Sequence, residues 1–426
     1  MQQLIFGIEK IVWSPFLVFF LLAIHLYFTF KLKFPQRKMW KGLLLIFKKE
    51  SKSGIHSFQA LMTILAGTLG VGNIVGVAGA ITIGGIGSVF WIFISGVFAI
   101  ATKYAETYIP LRFRKKEKGK YVGGAMYVLK EKLGFLRLAF LFSVFVVLSS
   151  FGSIMIQANS MVEIISTEIS GTKICLAIFV TVIACYIVFG NEKRIASING
   201  IFVPIAIILY LYMCVFLLFH FKGQILIAIQ NIMQEAFCFK SVCGGFFSSI
   251  AIHAMNVGLS KGLYSNEAGM GSSPLFNVSV EGSKSIEEES LIASTSVFID
   301  TVILCTITGV ILVASNVWQY TDSAISLVRD VFEMVPGGKF CLNVSIAIFA
   351  ISTLPCIGYN GLVGIKYIFH NKNFYEYVYK LSYLICTFVG CLTSVEIVWS
   401  ISSIFNAFMI FPNVVMLYCL KKDIKT

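Results

Sequence analysis

Three glycines, a threonine and an asparagine fall together at Gly67-Thr68-Leu69-Gly70-Val71-Gly72-Asn73, within a stretch otherwise built of Leu, Ile, Val and Ala. Each glycine in a helix interior costs up to about 1 kcal/mol relative to alanine. Clustered, they mark a place where the backbone ladder can open. An opened turn in apolar surroundings offers N–H and C=O groups at once. The N–H groups suit a carboxylate; the carbonyls suit an ammonium or an alkali cation. On that chemistry Thr68, Gly70, Gly72 and Asn73 are candidate ligands for a zwitterion. The same glycines could instead serve close helix packing, and Gly72-x-x-x-Gly76 fits that use. A second cluster, Gly244-Gly245-Phe246-Phe247-Ser248-Ser249, has the same character and places Phe246 and Ser249 as candidates for an opposite wall. Gln157, with Asn159 two residues on, puts an amide deep in an apolar run, where polar groups usually face a bundle interior. Ser352 and Thr353 present hydroxyl oxygens of the kind a hard cation prefers. Asp300 is the one carboxylate well inside an apolar run. A structural or gating role is expected for it, with a cation, Lys103 or a helix terminus as partner. Lys103 and Glu106 stand at i,i+3 and are expected to pair locally.

The elements that carry these residues are written in composition. The chain has 426 residues, 57% hydrophobic and 13% charged. Soluble domains carry about 25% charged residues, so a water-facing surface cannot be covered. Runs of roughly 20 apolar residues, the length that crosses a hydrocarbon core, recur along the chain. They predict an all-α membrane protein of about eleven helices near 11–31, 57–85, 88–111, 138–165, 173–190, 196–221, 242–264, 290–315, 340–369, 378–396 and 399–420. The first run follows Glu9 and Lys10, lacks a small-x-small cleavage site and ends in a basic stretch, so it is expected to be a retained helix rather than a signal peptide. Three regions are expected: 1–56, a first helix with a basic segment; 57–420, the core, in halves 57–222 and 240–420; and a tail, 421–426. The two glycine clusters sit five helices apart, in halves that start on opposite sides. Paired interrupted helices of that kind point to an inverted repeat with a midplane site.

The net charge of +13 is distributed as topology rather than as a nucleic-acid surface. Half of the 34 Lys and Arg residues fall in 31–54 and 112–137. The positive-inside rule puts those segments in the cytoplasm, the N-terminus outside and the C-terminus inside. A plasma-membrane location is expected, with lipid as the surroundings and no nucleic-acid partner; the oligomeric state is left open. The segment 261–290 reads as an inner connection, with Asn266-Glu267 as gate or anchor. Cys238 and Cys243 could pair; most other cysteines lie in apolar runs. No sequence set for a hydrolase nucleophile or a zinc protease is present, so an enzyme is not expected.

Several motifs resemble the alanine/glycine:cation symporters. Gly67-Thr68-Leu69-Gly70-Val71-Gly72-Asn73-Ile74 is similar to that family's G-T-x-G-x-G-N-I. Ala101-Thr102-Lys103-Tyr104-Ala105-Glu106 is similar to A-T-K-F-A-E, Tyr121–Tyr127 to Y-V-G-G-P-M-Y, and Gln157-Ala158-Asn159-Ser160 to Q-A-N-S. Lys261–Ser272 is similar to R-G-L-F-S-N-E-A-G-M-G-S. The resemblance covers about 57–415 in one order. It implies a leucine-transporter-type five-plus-five inverted repeat with one extra N-terminal helix. It implies sodium-coupled symport of alanine or glycine by alternating access, the alternative being a sodium-independent carrier or channel on that scaffold. It also implies a sodium site built from carbonyls of the first broken helix, at Gly67 and Gly70, with Ser352 and Thr353. The stretch Ser352–Leu362 departs from the family: Ile357 stands where a Trp is usual and Leu362 where an acidic residue is. A pocket wider at that point is expected.

Overall fold

A computed structural model describes residues 2–47, 57–117, 120–166, 172–188, 192–237, 249–279 and 284–425. Described residues are almost wholly helical. The exception is a short antiparallel hairpin, β1 (Lys115–Glu117) and β2 (Lys120–Val122). Such a sequence has no other choice, since backbone polar groups in hydrocarbon must be satisfied within the segment.

The first predicted helix is two. α1 (Gln2–Val12) meets α2 (Pro15–Lys31) at Ser14, where Pro15 opens the second helix. A short helix, α3 (Met39–Ile46), follows the basic turn. The stretch read as 57–85 is broken as its glycines suggest: α4 (Ser57–Thr68), one tight turn at Val71–Asn73, then α5 (Val75–Gly84). After it come α6 (Ser88–Arg112), α7 (Ala125–Glu131), α8 (Leu136–Ser166), α9 (Lys173–Val188), α10 (Glu192–His220) and the short α11 (Ile225–Phe237). The second half repeats the order. It holds α12 (Ser249–Asn266) and the four-residue α13 (Pro274–Asn277). α14 (Ile286–Val297), a π-helical segment Phe298–Cys305 and α15 (Thr306–Ala314) form one continuous rod corresponding to α6. α16 (Ala324–Phe332) is a short connecting helix; α17 (Gly338–Ile368), α18 (Asn373–Leu392) and α19 (Val395–Cys419) correspond to α8, α9 and α10.

Seven of the described helical stretches are long and apolar enough to cross a membrane: α1 with α2, α6, α8, α10, α14 with α15, α17 and α19. α4, α5, α9 and α11 also carry apolar helix, but in shorter lengths. The packing sorts the helices into two groups. α6 lies against α12 and α14, and α14 against α4; α8 lies against α17 and α18, and α9 against α18. α10 joins the groups by touching both α4 and α17. Glycines let α12 close on α6: a Cβ at Gly258 or Gly262 would strike Ser88 or Ser95.

Within the expected connection 261–290, residues 266–273 are packed among helices. Asn266 is fully buried, and Glu267, Gly269 and Gly271 take positive φ. The chain opens here because two glycines supply that conformation cheaply, and because buried partners take up the freed N–H groups. The glycine cluster at 244–248, expected to be the second opening, lies outside the described residues, as do Cys238 and Cys243.

Candidate functional site

Two openings interrupt the packed helices. Leu69 to Ile74 separates α4 from α5, and Glu267 to Ser273 separates α12 from α13. One carboxylate joins them. Asp300, fully buried in the π-helical segment, accepts hydrogen bonds from the Asn73 amide, from Ser265 Oγ at 3.1 Å and from Thr301 Oγ1 at 2.9 Å. Asn73 belongs to the first opening and Ser265 to the last turn before the second. A π-helical turn widens the ladder and often marks a functional position; here it carries Asp300. Asn73 Oδ1 is buried with no hydrogen-bond partner among the described residues. Two side-chain oxygens of acceptor type thus stand together at the first opening. Lys103, one of the partners expected for Asp300, is bonded to Ser273 Oγ (2.6 Å) and to Glu106 (3.3 Å).

Other side chains close around the first opening. The Gln157 amide lies against Gly70; a Cβ there would come within 2.5 Å of its Nε2. The Tyr264 ring faces Gly72, and its hydroxyl lies 3.2 Å from Ser402 Oγ. Trp399 covers Gly76, packs at a tilt against Tyr264 with ring centroids 5.1 Å apart, and carries the Lys261 ammonium 4.7 Å above its ring. A cavity of about 760 Å³ runs from Gly76, Trp399 and Lys261 to a rim of Glu163, Asp322 and Glu396. The extra N-terminal helix completes its wall. Glu9 accepts from Ser400 Oγ and from Ser403 Oγ (2.6 Å), and Trp13 Nε1 donates to the Ser403 carbonyl at 3.0 Å.

The second opening is held from α6. Glu106 Oε2 accepts from the backbone N–H of Gly269 (2.8 Å) and Gly271 (3.2 Å) and from Asn413 Nδ2 (3.1 Å). Asn413 also donates to the Gly269 carbonyl at 2.9 Å. All four groups are inside the bundle, so their bonds face no competition from water.

Of the residues singled out from sequence, Gly70, Gly72, Asn73 and Gln157 gather at the first opening. Thr68 is buried at the end of α4, its hydroxyl turned back to the carbonyls of Ile64 and Leu65, both 3.4 Å away. Ser352 donates to the Phe349 carbonyl at 3.0 Å, while Thr353 Oγ1 lies 2.6 Å from the carbonyls of both Phe349 and Ala66. Thr353 therefore ties α17 to the last turn of α4, one residue before Gly67. Phe246 lies outside the described residues; Ser249 is the first residue of α12. Tyr264, Ser265, Trp399 and Ser402 were not singled out, because aromatic and hydroxyl residues in apolar runs have no periodic signature of their own.

Comparison with known proteins agrees with this architecture. Among solved structures, MhsT in complex with L-phenylalanine superposes with a TM-score of 0.62 at 11% identity, over 88% of this chain and 90% of that one. A sodium-coupled sialic acid symporter gives 0.55 at 16% identity, over 90% and 82%. These likenesses establish the leucine-transporter fold. In sequence, a transporter of Haemophilus influenzae is 32% identical over 99% of this chain and 94% of its own length. The sodium/alanine symporter AgcS of Methanococcus maripaludis is 30% identical over 98% and 94%. A probable sodium/glutamine symporter, GlnT of Bacillus subtilis, is 29% identical over 100% and 90%. The match to the family itself runs over residues 1–426, end to end. The chain belongs to the sodium:alanine symporter family.

Proposed function

We propose that this secondary transporter carries a small neutral amino acid, alanine or glycine first, into the cell together with sodium by alternating access. The observation that carries the reading is the pair of openings bridged by Asp300. A zwitterion needs N–H donors for its carboxylate and oxygens for its ammonium. The opened turn that leads through Gly72 into the N-terminus of α5 supplies the donors, and freed carbonyls with the Gln157 amide supply the oxygens. Phe246 and Ser249 remain candidates for the opposite wall. Sodium prefers oxygen. Asp300 with Asn73 Oδ1 offers one set of oxygens. The carbonyls at Gly67 and Gly70, near Ser352 and Thr353, offer another. The basic ends at 31–47 and 112–117 lie at one end of the bundle; by the positive-inside rule that end is cytoplasmic, with the N-terminus outside and the C-terminus inside.

The test is uptake of labelled alanine, glycine and glutamine into proteoliposomes, with and without an inward sodium gradient. Gradient-driven accumulation of one of them is expected. Uptake indifferent to sodium would replace this reading with a sodium-independent carrier on the same scaffold. Glutamine belongs in the panel because a probable sodium/glutamine symporter is among the similar proteins.

A single methyl group probes the first opening. Gly70→Ala drives a Cβ into the Gln157 amide. A displacement of about 1 Å at a binding group can cost up to a hundredfold. The substrate concentration for half-maximal uptake should rise about ten- to a hundredfold, with the melting temperature little changed. An unaltered half-saturation value would remove Gln157 and Gly70 from the substrate site.

A further inference from the structure

α3 has two apolar faces. Met39, Gly42, Leu45 and Ile46 are buried against the bundle. Trp40, Leu44 and Phe47, spaced i, i+4, i+7 and so on one side of the helix, are 72%, 73% and 78% exposed. Around this stripe the chain is basic without relief. Lys31, Lys33, Arg37, Lys38 and Lys41 are all exposed, and no Asp or Glu occurs between 31 and 41. Lys38 and Lys41 line a cavity of about 490 Å³ whose far wall is Ser285, Glu287 and Glu288. Those carboxylates are engaged: Glu288 closes the capping box on Ser285, and Glu287 accepts from Tyr108 at 3.4 Å.

We infer that α3 is an interfacial helix that binds an anionic phospholipid headgroup at Arg37, Lys38 and Lys41 with its acyl chains along Trp40, Leu44 and Phe47. A helix with an exposed apolar stripe flanked by lysines lies in the membrane interface, and juxtamembrane basic clusters attract anionic lipid. A second copy of this chain does not fit the same face, because it would set five basic residues against five.

The position of α3 makes the lipid more than an anchor. Gly42 lets the helix seat directly on α14; a Cβ there would meet Thr295 at 2.6 Å and Leu291 at 3.2 Å. The Trp40 ring meets Phe298 edge-on at 6.2 Å. Phe298 opens the π-helical segment that holds Asp300 two residues later. A headgroup that fixes α3 therefore also braces the turn carrying the carboxylate between the two openings. This part rests on the transport reading; the lipid site does not.

The experiment has two readouts on the full chain. Protein reconstituted in vesicles of phosphatidylcholine with or without phosphatidylglycerol is assayed for uptake, and the lipid it retains is counted by native mass spectrometry. Wild type should retain phosphatidylglycerol over phosphatidylcholine and transport several-fold faster when it is present. The triple variant Arg37→Gln/Lys38→Gln/Lys41→Gln should lose both effects. Each basic residue near an anionic surface contributes about fivefold, so the drop in retention should exceed about tenfold. Lys38→Arg/Lys41→Arg should keep both, which separates charge loss from misfolding. Equal retention of the two lipids by wild type, unchanged preference in the triple variant, or an oligomer that the triple variant dissociates would each overturn the inference. Selective retention with no uptake by any variant would leave the lipid site standing and count against the transport reading alone.

Discussion

Replacing Asp300 by Asn is expected to abolish sodium-driven uptake while leaving the protein folded and as stable as before. The reasoning turns on cost. An aspartate at the centre of a transmembrane helix is unfavourable by roughly 2.5–3.5 kcal/mol on insertion scales. If Asp300 served only to hold Asn73, Ser265 and Thr301, a neutral amide oxygen in the same place would accept most of those bonds without that cost. Asp300→Asn would then be neutral or stabilising and would transport. A carboxylate needed for a cation gives the opposite pattern: stability retained, uptake down by at least about a hundredfold, equivalent to about 2.7 kcal/mol. The thermal readout sharpens it. A ligand bound only by the folded state stabilises by about 2.7 kcal/mol at a hundred times its dissociation constant. Wild type should therefore melt higher in sodium than in an equal concentration of choline, and Asp300→Asn should lose part of that difference. A variant that transports at the wild-type rate would make Asp300 a packing residue.

Which parts of this arrangement were legible in the sequence follows from which signals are local. The break in 57–85 was legible because three glycines in six residues oppose helix on their own account. The Lys103–Glu106 pair was legible from i,i+3 spacing. The opening expected at 244–248 lies outside the described residues, and the break at 266–273 was not legible. Gly244, Gly245 and two serines form a denser local signal than Gly269 and Gly271, whose neighbours Glu267 and Ser272 look like a water-facing turn. What makes 266–273 tolerable inside the bundle is Glu106 on α6, more than 160 positions earlier, and no local pattern reports a partner at that distance. Asp300 was visible as an oddity but not as a bridge, because two of its three partners, Asn73 and Ser265, come from other elements. The same holds for Glu9, whose serine partners lie on α19.

The clamp on the second opening makes the other large prediction, and a double-mutant cycle isolates it. Glu106 and Lys103 are both fully buried, 3.3 Å apart. Breaking a buried pair by removing one charge typically costs about 3–5 kcal/mol, because the other is left alone, whereas replacing both by neutral groups is often close to neutral. Glu106→Gln should therefore lower the melting temperature sharply, since Lys103 loses its counter-charge while the amide can still accept from Gly269 or Gly271. Lys103→Met should do likewise, leaving Glu106 with only its N–H donors. The double variant should melt well above the sum of the two losses, with an interaction energy of about 2 kcal/mol or more, at the upper part of the range for residues in contact. Strict additivity would mean that the pair is not coupled. Transport separates stability from positioning. The double variant restores the charge balance, but its neutral amide oxygen is a weaker acceptor than the carboxylate oxygen that met three donors, from Gly269, Gly271 and Asn413. Ser265 and Asn266 lead directly into that turn. The double variant should thus be stable yet slow, its half-saturation value altered more than its expression. A double variant both stable and fast would show that the turn keeps its shape without Glu106 and that the ion pair serves folding alone.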